Sequence, residues 1–153
     1  MTHELLNGLS SVQVDKVLAL GNRLTVPSGV SLFRLGDLAD RLFLVEHGRI
    51  RLTLPMQVRG REQEILIEEK VPGETVGWSA LIPPYRFTLS AAAPVETKVI
   101  ALSRVALQGC FEAQPEIGQK ISLNLAIVVG QRLQLVQAMW LREMQRTVEL
   151  RSA

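Results

Sequence analysis

The apolar positions change their period twice along the chain. Near the N-terminus Val14, Val17 and Leu18 recur at helical steps behind Ser10 and Gln13, which have the spacing of a capping box. Gly21 supplies a stop, so residues 1–22 are expected to form a short helical segment. From about residue 23 the period falls to two. Arg49-Ile50-Arg51-Leu52-Thr53-Leu54 alternates polar and apolar, placing Ile50, Leu52 and Leu54 on one face; Ile65 and Ile67 share a face further on. Turn residues cut this zone at Pro27-Ser28-Gly29, Gly36-Asp37, His47-Gly48 and Pro72-Gly73, with a polar link from Gln57 to Gly60. Two more strands are predicted over Arg86 to Ala92 and Thr97 to Leu102. Short strands between such turns predict an antiparallel sandwich or barrel over residues 23–102.

Residues 103–153 return to a helical period. Ser103 is placed to cap a short helix carrying Val105, Ala106 and Leu107, and Pro115 suits the first position of a longer one. That helix would run roughly 30–35 residues and about 50 Å, too long to lie wholly on a domain whose radius of gyration is near 15 Å. Two apolar lines follow it. Ile121, Leu125, Val128, Leu135 and Met139 make one; Val129, Leu133, Val136 and Trp140 make the other. One line can cover the barrel, leaving the second for a partner helix in a symmetric homodimer. Packing of both lines within one monomer is the competing arrangement.

Composition narrows the chemistry. Seventeen basic and fifteen acidic residues leave a net charge of +2, scattered without a dense run, which argues for a solvated surface over a nucleic-acid stripe. No stretch reaches the ~20 apolar residues of a membrane span, and the N-terminus lacks the pattern of an export signal. Cys110 is the single cysteine, so no internal disulfide is possible and a cytoplasmic location is expected, with Cys110 read as a buried structural thiol. The two histidines, His3 and His47, supply neither a catalytic triad nor a metal cluster. Glu68 and Glu69 are adjacent on a predicted strand and point to opposite faces. The reading is therefore of a protein that is not an enzyme, with no catalytic residues, no metal and no required cofactor.

One segment departs from ordinary barrel sequence, Pro72 to Thr88. Gly77 allows a sharp turn, Trp78-Ser79-Ala80-Leu81 is long enough for one helical turn, and Pro83-Pro84 ends it. Backbone N–H groups at such a start can bind an anion, and Arg86 could return to grip its oxygens. A capped turn with a surface arginine fits the same residues.

The order of turns and this insert resemble the cyclic-nucleotide-binding domain of the Crp/FNR and kinase-regulatory families. The resemblance rests on Gly29, Gly36-Asp37, Leu42-Phe43-Leu44-Val45 with Gly48, Gly73, Gly77, Leu81 and Arg86. It implies a mainly β fold with flanking helices: a double-stranded β-helix, or jelly roll, followed by a long C-terminal dimerisation helix, as one domain over 1–153. It also implies that the insert is the phosphate-binding cassette, with Gly77, Leu81 and Arg86 in the places of its glycine, leucine and arginine. The expected ligand-binding set is Gly77, Trp78, Ser79, Ala80, Arg86, Phe87 and Thr88, with Arg132 from the helix, and the expected ligand is cAMP, cGMP or a similar anion.

Trp78 stands where the family has a glutamate that takes the ribose 2′-hydroxyl. Loss of one charge-assisted hydrogen bond weakens a ligand about 10- to 150-fold. Trp78 can offer a stacking face or fill the pocket; in the second case the chain is a degenerate homologue acting as a dimerisation or protein-interaction module. Crp/FNR regulators continue into a helix-turn-helix, whereas this sequence ends at Ala153, so no direct DNA binding by the chain is expected.

Overall fold

The computed structural model describes residues 2–152. The Ser10 hydroxyl accepts from the Gln13 N–H and the Gln13 side chain accepts from the Ser10 N–H, closing the capping box that starts helix α1 (Ser11–Leu18). Five strands follow as Asn22–Val26 (β1), Ser31–Phe33 (β2), Arg41–His47 (β3), Ile50–Val58 (β4) and Arg61–Lys70 (β5). Thr75–Val76 (β6), Ser90–Ala92 (β7) and Thr97–Ser103 (β8) complete two antiparallel four-stranded sheets, ordered β1-β8-β3-β6 and β2-β7-β4-β5. Leu42, Phe43, Leu44 and Val45 of β3 and Val99 to Leu102 of β8 are all buried, so both faces of these strands are covered. This is a jelly roll, as expected.

Two strand boundaries differ from the alternation. The polar link expected at Gln57 to Gly60 is shorter, because Arg59 and Gly60 both take positive φ in a two-residue turn that lets β4 and β5 pair as far as Val58 and Arg61. The strand expected over Arg86 to Ala92 holds its pairing only at Ser90–Ala92, with Arg86 making one isolated bridge to Leu38. Residues 87–89 close the insert and leave the ladder. The two-residue strand β6 and the 3-10 turn at Glu4–Leu6 were too short to give a period.

Beyond the barrel, Ser103 caps helix α2 (Arg104–Ala113) by accepting from the Ala106 N–H at 3.1 Å. Helix α3 (Pro115–Ser152) begins at its proline and runs 38 residues, about 57 Å. Its first turns bury Ile117, Ile121, Leu125 and Val128, while Leu133, Val136 and Trp140 of the second line are exposed. Cys110 is half-buried against the core.

Asn124 fastens α3 to the N-terminus. It is buried, and its Nδ2 donates to the carbonyls of Leu5 at 2.9 Å and Asn7 at 2.8 Å. Truncation would strand two acceptors, at about 1–3 kcal/mol for a buried group left unsatisfied. Asn124→Ala is therefore expected to lower the urea unfolding free energy by about 2 kcal/mol; an unchanged midpoint would show that this contact does not hold the helix.

Candidate functional site

The insert folds between β6 and β7 as the sequence suggested in its first half. Gly77 takes φ +81°, and a Cβ there would meet Phe87 Cε1 at 3.0 Å, so both backbone and space require glycine. Trp78–Leu81 is one 3-10 turn, with Ser79 and Ala80 buried. Arg104, at the start of α2, holds this turn from behind: its Nη1 donates to the carbonyls of Ala39 at 2.8 Å and Ala80 at 3.4 Å, and its guanidinium lies 3.9 Å from the Tyr85 ring centre.

The second half of the insert differs from expectation. Arg86 is exposed, donates from Nη1 to the Gly36 carbonyl at 3.1 Å, and does not line the cleft beside Gly77. Tyr85 before it takes φ +59°, and the extended backbone that follows sends neighbouring side chains to opposite sides. The inward place falls to Phe87, which is buried and stacks on Phe33 with ring centres 3.6 Å apart and planes 9° apart. Gly77, Trp78, Ser79, Phe87, Thr88 and Arg132 are brought together around this cleft; Ala80 is buried behind it and Arg86 lies outside. The free space among them is about 10 Å³, the scale of a single water. Next to it, and sharing Trp78, Thr88, Leu89 and Arg132, lies a larger cavity of about 240 Å³ that reaches Val136 on α3.

The electrostatic centre of the site lies on the helix side. Arg132 Nε donates to Glu68 Oε2 at 2.7 Å, and Lys70 Nζ donates to Glu68 Oε1 at 2.9 Å. The side chains of Lys70, Arg132 and Glu68 are 5%, 12% and 22% exposed, so solvent screens this cluster weakly. Burial pushes the Glu68 carboxyl up, but the hydrogen bonds and charges of Lys70 and Arg132 outweigh it and hold the group below its usual value. Glu4, nearby, is held above its usual value by burial, although its Oε1 accepts from the Thr75 N–H at 2.9 Å.

Arg132 was among the expected residues; Glu68, Lys70 and Arg104 were not. Glu68 sits in an alternating strand where it reads as a solvent-side acid, and nothing in a local pattern reports a partner 64 residues away. Among the described residues no cluster of His, Cys, Asp or Glu has the makings of a metal site, and no helix is long and apolar enough to cross a membrane. The arrangement is suited to holding an anion or a carboxylate at Arg132.

Comparison with known proteins identifies the family of the fold. Residues 23–114 match the model of the cyclic nucleotide-binding domain. The chain is 30% identical over 129 residues to the cyclic AMP receptor protein of Thermus thermophilus, covering 84% of this chain but only 56% of that protein. In structure it is similar to the Thermus thermophilus catabolite activator protein, with a TM-score of 0.72, 30% identity, and coverage of 97% of this chain and 63% of that one. It is also similar to the N-terminal domain of a transcriptional regulator from Streptomyces coelicolor, with a TM-score of 0.68, 26% identity, and coverage of 90% and 92%.

The Glu68 cluster sets a pH dependence. A carboxyl held low in the folded state lends stability that is fully present above its unfolded pKa, about 4.5, and disappears as pH falls through the lower folded value. Glu68→Gln is expected to start about 1–3 kcal/mol less stable near neutral pH. It should also lose less stability than wild type on acidification in urea titrations. Parallel pH profiles for the two proteins would remove Glu68 from this account.

Proposed function

The chain belongs to the cyclic nucleotide-binding domain family, and on that premise we propose that it is a small-molecule-responsive regulatory domain, cytoplasmic, whose output is the position and pairing of α3. It is read as a non-enzymatic sensor. The observation that carries the proposal is the ion pair between Arg132 of α3 and Glu68 of β5, which lies at the edge of the cassette. A ligand anion arriving between cassette and helix would compete with Glu68 for the guanidinium, so its binding free energy would differ between a fastened and a released helix. cAMP and cGMP are the ligands that the family resemblance brings forward. The names of relatives support the class: the Thermus thermophilus protein is a cyclic AMP receptor protein.

Homodimerisation supplies the second half of the mechanism. Leu133, Val136, Trp140, Leu141, Met144 and Val148 are exposed on α3, beyond the turns that bury Ile117 to Val128. On 3.6-residue spacing, Leu133, Trp140, Met144 and Val148 fall along one stripe that a second copy of the helix would cover.

A second reading, a homologue that no longer binds cyclic nucleotide and acts through dimerisation alone, draws on two observations. The Phe87–Phe33 stack leaves about 10 Å³ in the cassette, and the expected phosphate anchor Arg86 is turned to Gly36.

Titration divides these readings, and sedimentation tests the dimer that both require. Calorimetric titration of cAMP and cGMP is expected to give binding that Arg132→Ala weakens about tenfold or more. Heat unaffected by that substitution would move the site elsewhere, and no heat at millimolar ligand would leave the second reading. Sedimentation should give a dimer for wild type and a monomer for Trp140→Glu, which puts a charge into the apolar stripe; a wild-type monomer would end the dimer proposal.

A further inference from the structure

We infer that Phe87 sets the affinity of this domain for a cyclic nucleotide: its ring takes the place of the phosphate in the cassette, and a ligand enters by displacing it. The inference rests on the ligand-responsive reading above and names the side chain that governs entry to the same site.

The first observation is what surrounds the ring. Gly77, Ser79, Thr88 and Arg132 line the cleft together with Phe87. Two hydroxyls and a guanidinium can all donate to phosphate oxygens. Arg132 bonds Glu68 through Nε, and its terminal amino groups carry further donors. The phenyl ring set among these groups has no lone pair to offer them. It presses on Gly77 closely enough that a Cβ there would stand 3.0 Å from Phe87 Cε1, and the cleft keeps about 10 Å³ of free space. Donors gathered around a side chain that cannot bond them suit a ligand that this side chain excludes.

The second observation is how the ring is held. The Phe87 N–H donates to the Asp37 carbonyl at 3.0 Å, and its carbonyl accepts from the Gly36 N–H at 2.8 Å. The backbone is thus fixed to the loop before β3 by bonds in which the side chain takes no part. The ring stacks on Phe33 and is flanked in sequence by two exposed residues, Arg86 and Thr88. Rotation about the side-chain bonds therefore withdraws the ring without undoing a hydrogen bond. Unstacking and exposing it weakens an entering ligand by about tenfold or more. The third is space. Trp78, Thr88, Leu89 and Arg132 line both the cleft and the groove of about 240 Å³ beside α3. With the ring withdrawn the two run together, polar at one end and apolar at the other. A cyclic nucleotide has the same make-up, an anionic phosphate joined to a flat base.

Calorimetry of cAMP and cGMP is run on the wild-type chain, Phe87→Ala and Phe87→Leu. Phe87→Ala is expected to bind about tenfold more tightly than wild type, or better. Phe87→Leu keeps an apolar side chain for the core while dropping the flat ring, and should gain in the same direction even where the alanine variant folds poorly. Adenosine, which has the base and sugar of cAMP without the phosphate, should show no such gain. In the wild-type chain, the nuclear Overhauser effect between the Phe33 and Phe87 rings should disappear when cyclic nucleotide saturates the protein. Variants that bind no more tightly than wild type overturn the inference and leave the ligand-responsive reading standing. A ring-to-ring effect that persists in the saturated complex does the same. An equal gain for adenosine makes the variant an apolar hole and likewise overturns the inference. Silence of all three proteins toward both nucleotides at millimolar concentration overturns both.

Discussion

A helix of 38 residues with apolar positions on two sides cannot satisfy both on one small barrel. Its first turns are accounted for. Ile117, Ile121, Leu125 and Val128 are buried, and Asn124 ties the same stretch to the N-terminal carbonyls. Past Met139 every described residue of the helix is exposed. Between these regimes Arg132 meets Glu68, so the strongest polar contact of α3 with the sheet stands near the point where apolar contact gives out. That location matters more than the number of hydrogen bonds. An ion pair deep under the helix would be held by everything around it, whereas one near the departure point has less apolar packing behind it.

The same economy explains the cassette. Aromatic side chains bury large apolar area, and Phe87 and Phe33 lie ring on ring with centres 3.6 Å apart. An arginine facing inward at that place would need an anion to compensate it, and burying an uncompensated charge is costly. Phe87 is instead the inward side chain, and Arg86 donates to the Gly36 carbonyl. On the helix side the Arg132 guanidinium lines the cleft and is bonded to Glu68.

Much of the architecture was legible in the residues. Capping at Ser10 and Ser103, the start at Pro115, the 3-10 turn of Trp78 to Leu81 and the two apolar lines of α3 all follow from local rules, because each depends on neighbours three or four positions away. Arg86 stands outside the cleft, and the reason is parity. In extended backbone one residue of offset exchanges the inward and outward faces, and the positive φ of Tyr85 is invisible in a pattern of side-chain types. Lys70 was equally hidden. A lysine at a strand end beside Val71-Pro72-Gly73 reads as solvated, and only the fold brings Glu68 and Arg132 together to bury it.

What remains is why a carboxylate of the barrel should serve as the fastener, where further apolar packing would do. Replacing a buried ion pair by hydrophobic groups is often neutral or stabilising, so stability alone does not favour Glu68 and Arg132. An apolar contact, though, has no competitor that a small molecule can supply selectively. A carboxylate does, since any anion of suitable shape offers the guanidinium the same hydrogen bonds. Lys70 sharpens the exchange, because Glu68 displaced from Arg132 still retains one cation and is not left as a bare buried charge. On the proposed function, that retained partner lowers the cost of releasing the helix, which is the condition for a modest binding energy to move it.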